Sequence, residues 1–304
     1  MYRDYFRLGE MPFSIATDPR FLFMSERHRE ALAHLLYGLQ GAGGIVLLTG
    51  EIGTGKTTLC RSLLEQLPPS VDVAFVVNPR QGVEELLRTL CADFRIAVAP
   101  SRPGIKPYID ALQAWLLDAD GRGRQAVLII DEAQDLDPLV LKLLRLLTNI
   151  ETATRKLLQI VLVGQPELRD QLARPDMRPF AQRVVARYHL TQLAASEVAA
   201  YVAHRLHVAG ASPALIPAAL AKQIHRASGG VPRLINLVCD RALLGAYVLG
   251  QPQVSAPILR HAVAEVFAAR QPRSRRWVIA AGMLAMAGAA AVAAVGIAAT
   301  APPW

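Results

Sequence analysis

Cysteine is scarce in this chain, and the three that occur, Cys60, Cys91 and Cys239, are scattered with no C-x-x-C pair among them. That excludes a disulfide framework and a cysteine zinc site, and it fits a reducing compartment in which the thiols act as small buried hydrophobes. Aromatic residues are few, at 6%, and nothing repeats at a fixed period, which excludes a solenoid or propeller. The opening residues MYRDYFRLGEMPF carry charges where a secretory leader needs an apolar run. A basic run with interleaved aromatics is also missing. The formal charge is +8, but Arg270, Arg273, Arg275 and Arg276 account for half of it, and residues 1–269 carry only +4. So modest a charge argues against a nucleic-acid partner.

What is present is apolar and ordered. Of 304 residues 52% are hydrophobic, enough for one large α/β core and a smaller helical unit. Between residues 45 and 190, short aliphatic runs alternate with helical periodicity. IVLLT (Ile45 to Thr49), VDVAFVVN (Val71 to Asn78), AVLIID (Ala126 to Asp131), LQIVLVG (Leu158 to Gly164) and the weaker RVVARYHL (Arg183 to Leu190) read as strands. Near-continuous apolar strands separated by helices imply a parallel sheet covered on both faces. From Ser196 the pattern is helical only, with Gly210, Gly229, Gly230 and Gly250 at helix stops and Pro213, Pro232 and Pro252 shortly after them. Residues 277–299 are apolar or small and carry no charge. At 1.5 Å per residue they match a hydrocarbon core of about 30 Å, so a transmembrane helix is expected there. The arginines before it place the bulk of the chain in the cytoplasm.

The chemistry sits in VLLTGEIGTGKTTLC. Gly50, Gly55, Lys56 and Thr57 satisfy G-x-x-x-x-G-K-[ST] between a strand and a helix. Gly53 and Gly55 let the backbone curl, so that the amides of Glu51, Ile52 and Thr54 and the first helical residues, Thr58 included, form an anion nest. Lys56 reaches the β- and γ-phosphates, and the Thr57 hydroxyl completes a Mg²⁺ shell. AVLIIDEAQD then delivers Asp131 for the metal and Glu132 for polarising water to the carboxyl end of the sheet. ATP and Mg²⁺ are therefore the expected ligands. Two arginine-bearing stretches extend the site: Arg233 opens a helix that can lean over the triphosphate, and Arg183 or Arg187 flanks the last strand as a finger into a neighbouring subunit.

Taken together, YFRLGEMPFSIATDPRFLF, HREALAHLLYGLQ, LLTGEIGTGKTTLCRSLLEQLP, IIDEAQDL, LLTNIETATRKLLQIVLVGQPELRDQLARP, AQRVVARYHL and SGGVPRLINLVCDRALLGAY resemble the AAA+ ATPases of the ExeA family, also called general secretion pathway protein A. The resemblance runs from about Tyr5 to Ala269. It implies an α/β P-loop core with a five-stranded parallel sheet and a helical lid. It also implies that Gly50 to Thr57 is Walker A, Asp131 and Glu132 are Walker B, Arg233 is sensor 2 and Arg183 is the first choice of arginine finger. Gln165 occupies the sensor 1 neighbourhood, where many AAA+ proteins carry Asn, Ser or Thr. The family works with an inner-membrane partner, ExeB/GspB-like, and uses ATP to help place the secretin ring of type II secretion, which implies a homo-oligomer anchored by a single pass in a bacterial inner membrane with its ATPase domain in the cytoplasm.

The expected organisation is an N-terminal segment packing on the nucleotide site (1–40), an α/β nucleotide-binding domain (41–192), a helical lid (193–269), a basic linker (270–276), the transmembrane helix (277–299) and a short periplasmic tail (300–304). ExeA-like proteins usually continue into a periplasmic peptidoglycan-binding domain, so the chain is expected to be a shortened relative or a piece of a longer product. Other readings are an ATPase of an exopolysaccharide or protein-sorting system, a transposition-type regulatory ATPase, and a nucleotide-gated scaffold with negligible turnover, against which the intact Glu132 argues.

Overall fold

The computed structural model describes residues 2–40, 44–98 and 104–268. Five strands, β1 (Ile45–Gly50), β2 (Val71–Val76), β3 (Gln125–Ile130), β4 (Leu158–Gly164) and β5 (Val184–Leu190), form one parallel sheet in the order β2-β3-β4-β1-β5. Central β1 and β4 are buried along their whole length, which is why their sequences are unbroken apolar runs. Successive side chains point to opposite faces. Leu47, Leu128, Ile130, Ile160 and Leu162 join one core, and Val46, Leu48, Val127, Ile129, Val161 and Val163 join the other.

Helices α4 (Val83–Asp93), α5 (Lys106–Gly121), α6 (Pro138–Leu147), α7 (Glu167–Ala173) and α8 (Arg178–Ala181) cover the first face. Helices α2 (Glu26–Gln40) and α3 (Lys56–Gln66) cover the second. Helix α6 shows the local logic. Asp137 caps it by accepting from the Leu139 amide at 2.7 Å, Pro138 opens it, and Val140, Leu141, Leu144 and Leu147 bury one stripe. Each such fully buried leucine contributes about 1.5–3 kcal/mol.

A second body follows β5. Helices α9 (Val198–Val208), α10 (Ala221–Ser228), α11 (Pro232–Val248) and α12 (Ala256–Ala268) pack around Val198, Leu206, Ile235, Cys239 and Leu243. Gly229 ends α10 in the left-handed conformation, φ 61°, and Pro232 opens α11 three residues on. The N-terminal segment belongs to this core. Tyr2 in the short helix α1 (Tyr2–Tyr5), Leu8 and Phe13 are buried within it, and the Tyr2 hydroxyl donates to Asp240. The Gly9 amide donates to the Ala209 carbonyl at 2.9 Å. Arg205 of α9 is buried and donates to the carbonyls of Pro12 at 2.6 Å and Ser14 at 2.8 Å, with its guanidinium 4.5 Å from the Phe21 ring centroid.

All three cysteines are buried, and burial pushes the Cys60 and Cys239 thiols far above their usual range. The expectation of a transmembrane helix, and with it that of a single-pass inner-membrane location, is corrected: among the described residues no helix is long and apolar enough to cross a membrane. The physical reason is length and charge: the longest described helix, α11, has 17 residues and carries Arg233, Asp240 and Arg241. The segment on which the expectation rested, residues 277–299, lies outside the described residues, as do the linker 270–276 and the tail 300–304.

Candidate active site

Gly50 closes β1, Asp131 follows β3 and Gln165 follows β4, so three adjacent strands deliver their next residues to one rim of the sheet. This is the carboxyl edge, where open α/β sheets bind ligands. Gly50 must be glycine because a Cβ there would stand 2.4 Å from the Leu190 carbonyl oxygen. Gly53 at φ 81° and Gly55 at φ 99° then turn the chain into α3, which starts at Lys56. The Lys56 side chain folds back over the loop and donates from Nζ to the carbonyls of Gly50 at 2.8 Å and Glu51 at 3.0 Å. Lys56 is only 6% exposed, and this burial lowers its pKa against the attraction of Glu132, Asp131 and Glu51.

The Thr57 hydroxyl donates to Asp131 Oδ2 at 2.6 Å, and the Glu132 amide donates to Asp131 Oδ1 at 2.9 Å. Burial raises the Asp131 pKa, while these two hydrogen bonds and Lys56 oppose the shift. Glu132 is one of the few non-glycine residues at positive φ, 51° with ψ 37°, a left-handed conformation that costs about 1–2 kcal/mol. Its carboxylate is held by two amides. Gln134 Nε2 donates to Oε2 at 2.7 Å and Gln165 Nε2 to the same oxygen at 3.2 Å.

Lys56, Thr57, Glu132 and Gln165 line a cleft of about 270 Å³ between sheet and lid. Gly53, Thr54, Gly55, Lys56, Thr57, Thr58, Ile52, Glu132 and Gln165 form its floor, and Arg233 with Asn236 its roof. Arg233 is exposed, and its main-chain amide donates to the Gly53 carbonyl at 3.2 Å, so the first turn of α11 rests on the loop. Arg183 and Arg187 are not brought to this cleft. Arg183 precedes β5 at the opposite edge of the sheet, where its Nη1 donates to Thr148 Oγ1 at 2.8 Å, and Arg187 is exposed on β5.

Sequence reasoning missed several contributors. His28 is buried on α2, where Nδ1 accepts from the Ser25 hydroxyl at 2.6 Å and Nε2 donates to the Thr54 carbonyl at 3.2 Å. A carbonyl can only accept, which fixes the tautomer, and burial lowers the ring's pKa. Gln134, which bonds Glu132, and Tyr201 and Asn236 on the cleft wall were likewise unassigned. Ser14 to Asp18 wall the cleft from the N-terminal segment. The only local signal for His28 was a serine three residues ahead of it at a helix start. Nothing local ties either residue to the phosphate loop.

The donor set fits a nucleoside triphosphate with a hard cation. A helix N-terminus with a buried lysine suits phosphate, and a hydroxyl beside one carboxylate suits Mg²⁺, which relies on few protein ligands.

A family model described as an AAA domain matches residues 39–172. The chain is 51% identical over 255 residues to general secretion pathway protein A of Aeromonas hydrophila, an alignment covering 84% of this chain and 46% of that one. It therefore spans about half the length of that curated relative. Among solved structures, the fold resembles the Aeropyrum pernix ORC2 protein in ADPNP-ADP complexes (TM-score 0.65, 19% identity, 85% of this chain and 72% of that one). It also resembles Cdc6p of Pyrobaculum aerophilum (TM-score 0.65, 16% identity, 85% and 72%) and the Thermotoga maritima RuvB Holliday junction branch migration motor (TM-score 0.53, 19% identity, 80% and 69%). Identities this low speak to fold alone. With its glycine-rich loop and acidic pair converging in the part matched by the AAA-domain model, and with half its aligned residues shared with that relative, the chain carries an AAA domain and is similar over 84% of its length to general secretion pathway protein A.

Proposed function

We propose that the cleft binds ATP with Mg²⁺ and hydrolyses it, and that turnover supports assembly of a general secretion pathway machine. The observation that carries the chemistry is the Thr57–Asp131 contact at 2.6 Å beside a Glu132 carboxylate gripped by two amides. The loop amides and Lys56 bind the β- and γ-phosphates. Thr57 and Asp131 hold the cation, which when bound neutralises charge on the phosphate oxygens. Glu132 orients water toward the γ-phosphorus; an O–P bond forms as the bond to the bridging oxygen breaks, giving ADP and phosphate. Gln165 acts from the sensor 1 position and Arg233 from the lid. Arg183, remote from its own cleft, acts across an interface in a homo-oligomer.

The relative's name supports placing the activity in the general secretion pathway. The family resemblance narrows this to secretin assembly with a GspB-like inner-membrane protein as partner. The experiment is a pair of substitutions. Lys56→Ala is expected to abolish ATP binding, because it removes ground-state phosphate contacts, whereas Glu132→Gln is expected to bind ATP and stall. Wild-type turnover in Glu132→Gln would remove that residue from its role. Nucleotide-dependent co-purification with the GspB-like protein tests the partner, and its absence in both ATP and ADP overturns that assignment.

A further inference from the structure

Glu132 can act on water only if its carboxylate is held in one orientation, and the backbone alone, at φ 51° and ψ 37°, does not set its side-chain torsions. Gln134, two residues on, supplies a hold. It lies in the 3₁₀ turn Ala133–Asp135 that follows Glu132. Its Oε1 accepts from the main-chain amide of Gln165 at 3.0 Å. A main-chain N–H can only donate, so the side-chain amide has one permitted orientation, with its NH₂ turned toward Glu132. The resulting bond, Nε2 to Glu132 Oε2, is 2.7 Å and the shorter of the two that grip this carboxylate. The arm itself is fixed at both ends. Gln171 Nε2 of α7 donates to the Gln134 carbonyl at 2.8 Å. At the end of β4, Gly164 makes room for the side chain, since a Cβ there would lie 2.9 Å from Gln134 Oε1.

We propose that Gln134 is a positioning residue for Glu132: its side-chain amide, set by the Gln165 main chain, holds Oε2 and leaves Oε1 to accept from the attacking water. Gln165, at 3.2 Å, is the secondary clamp on the same oxygen. The inference rests on the ATPase reading above and adds to it the residue that orients the carboxylate. Water attacks the γ-phosphorus and ADP leaves as before; Gln134 exchanges no proton and touches no substrate.

Gln134→Glu is the sharpest test. It is isosteric and keeps an oxygen to accept from the Gln165 amide, but replaces the NH₂ facing Glu132 with a second carboxylate oxygen. In the purified full chain, Mg-ATP turnover is expected to fall about 10- to 100-fold, the scale of a misplaced catalytic group. Affinity for a non-hydrolysable ATP analogue should stay within about twofold of wild type, since no phosphate contact is touched. Gln134→Leu should show the same split, and carries the test if Gln134→Glu fails to give a cooperative thermal transition. Combining either with Glu132→Gln should lower turnover no further than Glu132→Gln alone, because the two residues act through one group. Wild-type turnover in both Gln134 variants, a parallel loss of affinity and rate, or additive losses in the double variant each overturn the proposal. If instead Glu132→Gln itself turns over normally, the ATPase assignment of Glu132 has failed and the proposal falls with it, a pattern distinct from the first three.

Discussion

The contact between loop and lid invites a single-atom perturbation. Gly53 has φ 81°, and a Cβ there would stand 2.6 Å from the Arg233 Cβ and 3.3 Å from Val231 Cγ1. The obstructing atom is not the far end of a flexible side chain but the first carbon of a residue fixed in the first turn of α11. Gly53→Ala therefore pushes the lid off the loop. The left-handed backbone costs an alanine about 1–2 kcal/mol. Loss of the Arg233 amide to Gly53 carbonyl bond, 3.2 Å long, adds about 1 kcal/mol. Together these disfavour the seated arrangement by about 2–3 kcal/mol. At 1.4 kcal/mol per factor of ten, nucleotide that needs loop and lid together should bind about 30- to 100-fold more weakly. The assay is a titration with a fluorescent ATP analogue, run beside thermal unfolding so that loss of fold is seen separately. A folded Gly53→Ala chain that binds within threefold of wild type would refute the reasoning.

Gly121→Ala is the contrasting case: a Cβ at the end of α5 meets nothing within 4 Å, so the change should stabilise by about 0.4–1 kcal/mol in denaturant unfolding and leave turnover alone. Burial depresses the His28 pKa below its ordinary 6.5, so the unfolded chain takes up its proton first. Its stabilising contribution is thus complete above about 6.5 and is lost as pH falls through the lowered folded value. Melting temperature should drop on acidification, and His28→Gln should flatten that drop, although His189 and His204, lowered by burial too, will keep part of it. Arg205→Met strips the Pro12 and Ser14 carbonyls of a charged donor and should cost about 3 kcal/mol, with residues before Ser25 becoming the first site of limited proteolysis. Arg183→Ala should cut turnover by about 10³ or more with nucleotide affinity preserved, and mixing it with Lys56→Ala subunits should restore activity. If Arg187→Ala alone behaves this way, the finger is Arg187.

The sheet was legible because both its faces are covered. β1 and β4 have no solvent side, so nothing interrupts their apolar runs. β5 read weakly for the opposite reason: it is an edge strand whose alternate residues Val185 and Arg187 reach solvent. The lid was legible from punctuation, since Gly229 and Pro232 act through local backbone geometry. The N-terminal segment was not. Tyr2, Leu8 and Phe13 follow no helical or strand period, and the core they enter is built from residues roughly 180 to 260 positions away. Periodicity reports which face of an element is buried, and these residues belong to no long element.

The same division runs through the site. The convergence of Lys56, Thr57 and Asp131 was legible because the glycines, lysine and hydroxyl of the loop stand at fixed spacing and a strand carries the acidic pair to the same rim. Gln134 and His28 act on that machinery through single hydrogen bonds, to Glu132 and to the Thr54 carbonyl, which demand no spacing pattern. Gln165 looked like a departure from the shorter side chains common at its position. Its length has a physical use here: from one residue beyond β4 it reaches Glu132 Oε2 while its own main-chain amide sets Gln134. The cleft is thus walled by three stretches far apart in sequence, two of which, the N-terminal segment and the lid, share one core. Its width depends on how that shared body sits on the loop. Gly53, where the two meet with no room for a methyl group, reports on that seating more directly than Lys56, whose substitution would remove the proposed phosphate contact whatever the lid does.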